Sequence, residues 1–104
     1  MCTSIVEIAH ADGMAKGESE WFTLTHAVVS YDHARHALLE DAITIDFVNA
    51  GLPPGARAAV ELTLDSAKAL QAALTRAIAA AELEEADRSL AVERARLAER
   101  RRAA

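Results

Sequence analysis

Ala42-Ile43-Thr44-Ile45-Asp46-Phe47-Val48 carries the alternation that sets the fold class. Apolar Ile43, Ile45 and Phe47 alternate with polar Thr44 and Asp46, the period-two pattern of a strand with one face covered and the other wet. Immediately after it, Asn49 to Ala56 carries Gly51, Pro53, Pro54 and Gly55 and must turn the chain. Ala58 to Thr63 resumes the alternation, with Val60 and Leu62 on the apolar side and Glu61 away from it. From Asp65 onward there is no Gly or Pro, and Leu70, Leu74 and Ile78 recur at i+4 spacing, which predicts an amphipathic helix with Asp65 as its N-cap.

Upstream of this alternation, Thr3 to His10 is a β-branched run that ends in the turn-forming Ala11-Asp12-Gly13. Gly13 to Glu20 reads as a loop, and Trp21 to Tyr31, rich in Thr, Val and aromatics, as a second strand. Asp32 to Asp41 shows no alternation and suits either a helical turn or an irregular loop. The expected class is therefore α+β: about four mainly antiparallel strands followed by one long C-terminal helix packed on one sheet face. Residues 1–80 should make the compact sheet-plus-helix domain, and residues 81–104 a charged extension of the same helix.

That extension carries Leu83, Leu90 and Leu97 at seven-residue spacing, with Glu84/Arg88 and Glu93/Arg96 as intrahelical pairs. The positions between the leucines are Ala80, Asp87 and Arg94, or Ala86 and Glu93, so a strong coiled coil is not encoded. The segment is either a solvated charged helix or a self-association tail. The length mismatch between so long a helix and so narrow a sheet favours a two-fold homodimer.

Composition narrows the function classes. The chain has 104 residues and 52% of them are apolar, enough for one domain, but only 4% are aromatic. The formal net charge is −5, and no Lys/Arg stripe interleaves with aromatics, so nucleic acid is not an expected partner. No run approaches the length of a membrane span, and a single cysteine, Cys2, suits a reducing compartment, which together point to the cytoplasm.

Chemistry-bearing residues concentrate in Tyr31-Asp32-His33-Ala34-Arg35-His36-Ala37-Leu38-Leu39-Glu40-Asp41. If this segment is helical, His33, His36 and Glu40 share a face, and two imidazoles with a carboxylate match a Zn²⁺ or non-haem Fe²⁺ site. Surface histidines beside acids more often share screened charge and nothing else. Cys2 would add a thiol ligand next to the α-amino group once Met1 is removed, or be an inert strand-edge cysteine. His26 falls on what reads as the apolar parity of the second strand and should be a hydrogen-bonded core histidine. The face opposite Ile43, Ile45 and Phe47 should carry Thr44, Asp46, Glu61, Thr63 and, with matching register, Glu7, either solvated or lining a pocket.

Several motifs taken together, Met1-Cys2-Thr3, Lys16-Gly17, Trp21-Phe22-x-Leu24-Thr25, Tyr31-Asp32-His33-x-x-His36-Ala37, Ile45-Asp46-Phe47 and Val60-Glu61-Leu62-Thr63, resemble an uncharacterised family of small actinobacterial proteins over about residues 1 to 80. The resemblance implies a shared compact domain and a bacterial setting, and carries no catalytic residue over. That family's pattern has a further Glu-His where this chain has Glu40-Asp41, which counts against a three-histidine metal site. Three functions compete on these grounds. One is a homodimeric small-molecule-binding protein or minor biosynthetic enzyme with a pocket drawn from Trp21, His26, Tyr31, His33, His36, Asp46 and Glu61. The second is a metal-binding module using Cys2, His33, His36 and Glu40, and the third is a structural or adaptor protein acting through its C-terminal helix.

Overall fold

A computed structural model describes residues 5–52 and 56–103. Six strands and one helix follow in order: β1 Ile5–His10, β2 Met14–Lys16, β3 Trp21–Thr23, β4 His26–His33, β5 Asp41–Val48, β6 Arg57–Leu62 and α1 Leu64–Ala103. The class is α+β, as the alternation of Ala42 to Val48 and the breaker-free C-terminal half require. The chain divides into two units, one up to Ala67 and one from Lys68, and each is described by itself.

In the first unit, four strands form an antiparallel sheet in the order β1-β4-β5-β6, while β2 and β3 form a separate two-stranded sheet. The segment expected as a loop, Gly13 to Glu20, thus contains a strand: Met14, Ala15 and Lys16 pair with Thr23, Phe22 and Trp21. The hairpin closes where the Gly17 N–H donates to the Glu20 carbonyl at 2.8 Å. A Cβ at Gly17 would stand 3.3 Å from the ring of Phe22, one of the few buried side chains. Glycine there lets the turn close against the ring.

The expected second strand is two strands, and the hydrogen bonds say why. The Leu24 N–H donates to the Gly13 carbonyl at 2.9 Å, and the next one, that of Thr25, donates to the Val48 carbonyl at 2.9 Å. Consecutive residues therefore belong to different sheets. The Thr25 hydroxyl donates to the same Val48 carbonyl at 3.1 Å and accepts the Ala50 N–H at 3.1 Å, which fixes the changeover point.

Register sorts the sheet into two faces. Val29–Ile45–Val60 and Tyr31–Ile43–Leu62 run across one face, and Ser30–Thr44–Glu61 and Val28–Asp46–Ala59 across the other. Glu7 pairs with Val29, so it lies on the apolar face and not beside Asp46 and Glu61. The parity of β1 against β4 puts it there, a correction to the expected three-carboxylate face. His26, between His10 and Val48, lies on the polar face, because it shares parity with Val28, which stands opposite Asp46.

Helix α1 has 40 residues, about 60 Å at the usual rise. Its cap is two residues earlier than expected: the Thr63 hydroxyl accepts the Ser66 N–H at 3.0 Å, and the Thr63 carbonyl accepts the Ala67 N–H at 2.9 Å. Asp65 instead sits in the first turn, where its charge suits the positive end of the dipole. The basic residues Arg100, Arg101 and Arg102 occupy the last turn. None of the described helical residues is buried, and Leu70, Leu74 and Ile78, expected beneath a sheet face, are about half exposed in the single chain.

Replacing the cap, Thr63→Ala, should lower stability by about 1 kcal/mol, while Thr63→Asp should be close to neutral. Urea unfolding followed by circular dichroism at the helical band measures both. Equal stability of Thr63→Ala and the native chain would show that the cap contributes nothing.

Candidate functional site

A cleft of about 390 Å³ opens on the polar face of the sheet, lined by Ser30, Asp32, His33, Arg35, His36, Thr44, Asp46, Arg57, Ala59, Val60 and Glu61. Three elements build it. Alternation on β4 and β5 turns Ser30 and Thr44 inward as cross-strand partners, and their hydroxyls hydrogen-bond to each other. From β6, Arg57 donates through Nη2 to Asp46 Oδ2 at 2.7 Å, a pair on the same face one residue row away from Ser30 and Thr44.

The rim is residues 34–37, and it is not helical. The segment from Ala34 to Glu40 is a bent loop joining β4 to β5, closed at its base where the Ala34 N–H donates to the Glu40 carbonyl at 3.2 Å. At the last rung of the ladder, His33 Nδ1 lies 3.0 Å from Asp41 Oδ1. A carboxylate from β6 holds the loop: Glu61 Oε2 accepts the Arg35 N–H at 2.7 Å, and Oε1 accepts the N–H groups of His36 and Ala37, each at 2.8 Å. Successive N–H groups turned to one side make an anion-binding concavity, and here the anion is the chain's own.

The Glu61 carboxyl is accordingly held below the usual Glu range. The Arg35 N–H is the largest cause, then that of Ala37; desolvation works in the opposite direction, and the His36 N–H and imidazole add smaller contributions. Because the folded value is depressed, the clamp's contribution is present above the unfolded Glu value and is lost as pH falls through the folded value.

Of the sequence candidates, His33, His36, Asp46 and Glu61 meet in this cleft. Tyr31 does not, since it lies on the opposite face with Ile43 and Leu62. Trp21 sits in the separate hairpin opposite Lys16 and is exposed. His26 is half-buried, more so than His33 or His36, and its Nδ1 is 2.9 Å from the Thr25 hydroxyl, away from the cleft lining. The helical premise that aligned His33, His36 and Glu40 is corrected by the bent loop, and Glu40 does not line the cleft. Among the described residues no three His, Cys, Asp or Glu side chains are gathered as a metal site, and Cys2 lies outside the described residues.

Sequence reasoning passed over Arg35 and Arg57. Arg57 had a usable signal, because it shares parity with Glu61 on β6 with Ala59 between them, and Ala59 stands opposite Asp46. Arg35 had none, since its placement depends on the loop being clamped.

A model of a family of unknown function, DUF6295, matches residues 1–87. The chain belongs to this family. The match covers the whole sheet, the cleft and the first part of α1, so the cleft is inside the family's domain, and residues 88–104 lie beyond it. No characterised protein and no solved structure matches the chain. No described helix is long and apolar enough to cross a membrane.

A pH titration of the backbone amide shifts tests the clamp. Those of Arg35, His36 and Ala37 should move together with a midpoint below that of an ordinary Glu, and Glu61→Gln should remove that transition. A midpoint within the ordinary range would mean that the three N–H groups do not hold the carboxylate in solution.

Proposed function

We propose that this protein is a homodimeric small-molecule-binding protein whose ligand is a small, polar, carboxylate-bearing compound held in the cleft on the polar face of the sheet. The observation that carries the reading is the Glu61 clamp, which holds two side chains with free donor capacity, Arg35 and His36, at the rim of a pre-formed cleft. The other charges there are largely committed. Glu61 is held by three N–H groups, Asp46 by Arg57, and Asp32 accepts the His33 N–H at 2.7 Å.

The Arg35 guanidinium forms no ion pair among the described residues, and its planar fork matches a carboxylate. A ligand with a second negative charge would meet Asp32 and Asp46, so a monocarboxylate is the better fit. The Ser30 and Thr44 hydroxyls on the floor suit a ligand that also carries hydroxyl groups.

Self-association is supported by how little each unit buries alone. In the first unit Phe22, Ala27 and Ala42 are the buried residues among those described, while Ile5 is 60% and Ile8 69% exposed on the edge strand β1. A core this small contributes little against chain entropy. In the second unit, the part of α1 from Lys68 onward has its leucines open.

Nuclear magnetic resonance titration with lactate, against glycerol as a neutral control, tests the ligand reading. Lactate should shift the amides around Ser30, Arg35 and His36 saturably, and Arg35→Gln should weaken that binding about tenfold or more. Glycerol binding with no response to lactate would overturn the carboxylate assignment, and no cleft response to either would count against the binding reading itself.

A further inference from the structure

We infer that residues Glu82 to Arg100 of α1 pair with the same segment of a second copy in antiparallel orientation, about a two-fold axis near Leu90. The inference rests on the homodimer reading above and names its interface. It begins from an open stripe: Leu83, Leu90 and Leu97 recur every seven residues and are 69%, 50% and 43% exposed. At 3.6 residues per turn they lie on one line along the helix, with Ala86 beside them.

A stripe centred on Leu90 is self-complementary when reversed. Leu83 of one copy then meets Leu97 of the other, and Leu90 meets Leu90, which is the isologous arrangement a two-fold axis demands. Reversal alone does not exclude a parallel pair, in which each leucine meets its own counterpart. The flanking charges decide between the two.

By the helical repeat, Asp87 and Arg94 flank the leucine line on one side, and Glu82, Glu93 and Arg100 flank it on the other. In an antiparallel pair, like flanks of the two copies come together. Asp87 therefore faces Arg94 of the second copy, Glu82 faces its Arg100, and symmetry repeats both contacts. In a parallel pair, opposite flanks come together at equal height, so Asp87 approaches Glu82 of the other copy, which repels it, while Arg94 meets Glu93, which attracts it. The first arrangement sets both Asp87 and Glu82 against arginines, whereas the second brings Asp87 against Glu82, and flanking charges of this kind set the orientation of paired helices.

The wider charge distribution has the same sense. Glu82, Glu84, Glu85 and Asp87 precede Leu90, whereas Arg94, Arg96, Arg100, Arg101 and Arg102 follow it. Antiparallel pairing lays the acidic half on the basic half. The small residues Ala79, Ala86 and Ala98 near the stripe let the backbones approach closely where leucines are sparse.

Two doubly reversed full-length variants test the inference by sedimentation equilibrium. Glu82→Arg with Asp87→Arg leaves Glu93 as the one acidic residue of the flanks, and Arg94→Glu with Arg100→Glu makes the flanks all acidic. Each variant should self-associate about tenfold or more weakly than the native chain, and an equimolar mixture should recover native-like dimerisation. The mixture also guards against a variant that merely loses helix, since a misfolded chain would not be rescued. A native dimer whose strength neither reversal changes would overturn the inference and leave the homodimer standing on another surface. Weakened variants that fail to pair with each other would overturn it as well, and a native chain that stays monomeric would overturn both readings.

Discussion

Three successive backbone N–H groups, those of Arg35, His36 and Ala37, converge on the Glu61 carboxylate, and the cleft depends on that contact. A loop without regular structure has many conformations open to it, and fixing one requires contacts that outweigh the lost entropy. Hydrogen bonds to an ionised acceptor are among the stronger ones available at a surface. Glu61 can reach the loop because it stands in register with Thr44 and Ser30, so the carboxylate rises from the sheet face over which the loop bends. The clamp thereby ties an edge strand to the β4–β5 connection and holds two cationic or donor-bearing side chains at the cleft rim.

The division of the sheet into faces follows from the same register. Val29, Ile45 and Val60 make a continuous apolar row on one face, and Ser30, Thr44 and Glu61 a polar row on the other, so chemistry and adhesion occupy different sides. Small side chains limit what the chain buries by itself: among the described residues, two of the three buried hydrophobic ones are alanines. A chain of this composition gains more by covering surface against a partner than by tightening its own core, which links the modest aromatic content to the leucine stripe of α1.

Much of the fold was legible in the sequence. Ile43-Thr44-Ile45-Asp46-Phe47 announced β5 and its two faces, Val60-Glu61-Leu62 announced β6, and the Gly- and Pro-free run after Thr63 announced α1, because periodicity is a local property of the chain. The split between β3 and β4 was not legible. It depends on Leu24 and Thr25 choosing partners 11 and 23 residues away, Gly13 and Val48, and no local composition marks it. The polarity of Glu7 and His26 failed for the same reason, since each follows from a register fixed by other strands. Four of the candidate site residues, His33, His36, Asp46 and Glu61, do share a cleft. The role of Glu61 was hidden nonetheless, because a carboxylate that accepts backbone N–H groups across 26 residues of sequence leaves no trace in the side chains of the loop it holds.

Hydrogen exchange at the three clamped amides measures whether the Glu61 carboxylate holds the rim in solution. In Glu61→Ala, the amides of Arg35, His36 and Ala37 should exchange about tenfold or more faster than in the native chain, while those of Val29 and Ile45 in the β4–β5 ladder should be unchanged. Identical exchange at the three loop amides in both proteins would contradict the account, because the rim of the cleft would then be held by something other than the Glu61 carboxylate.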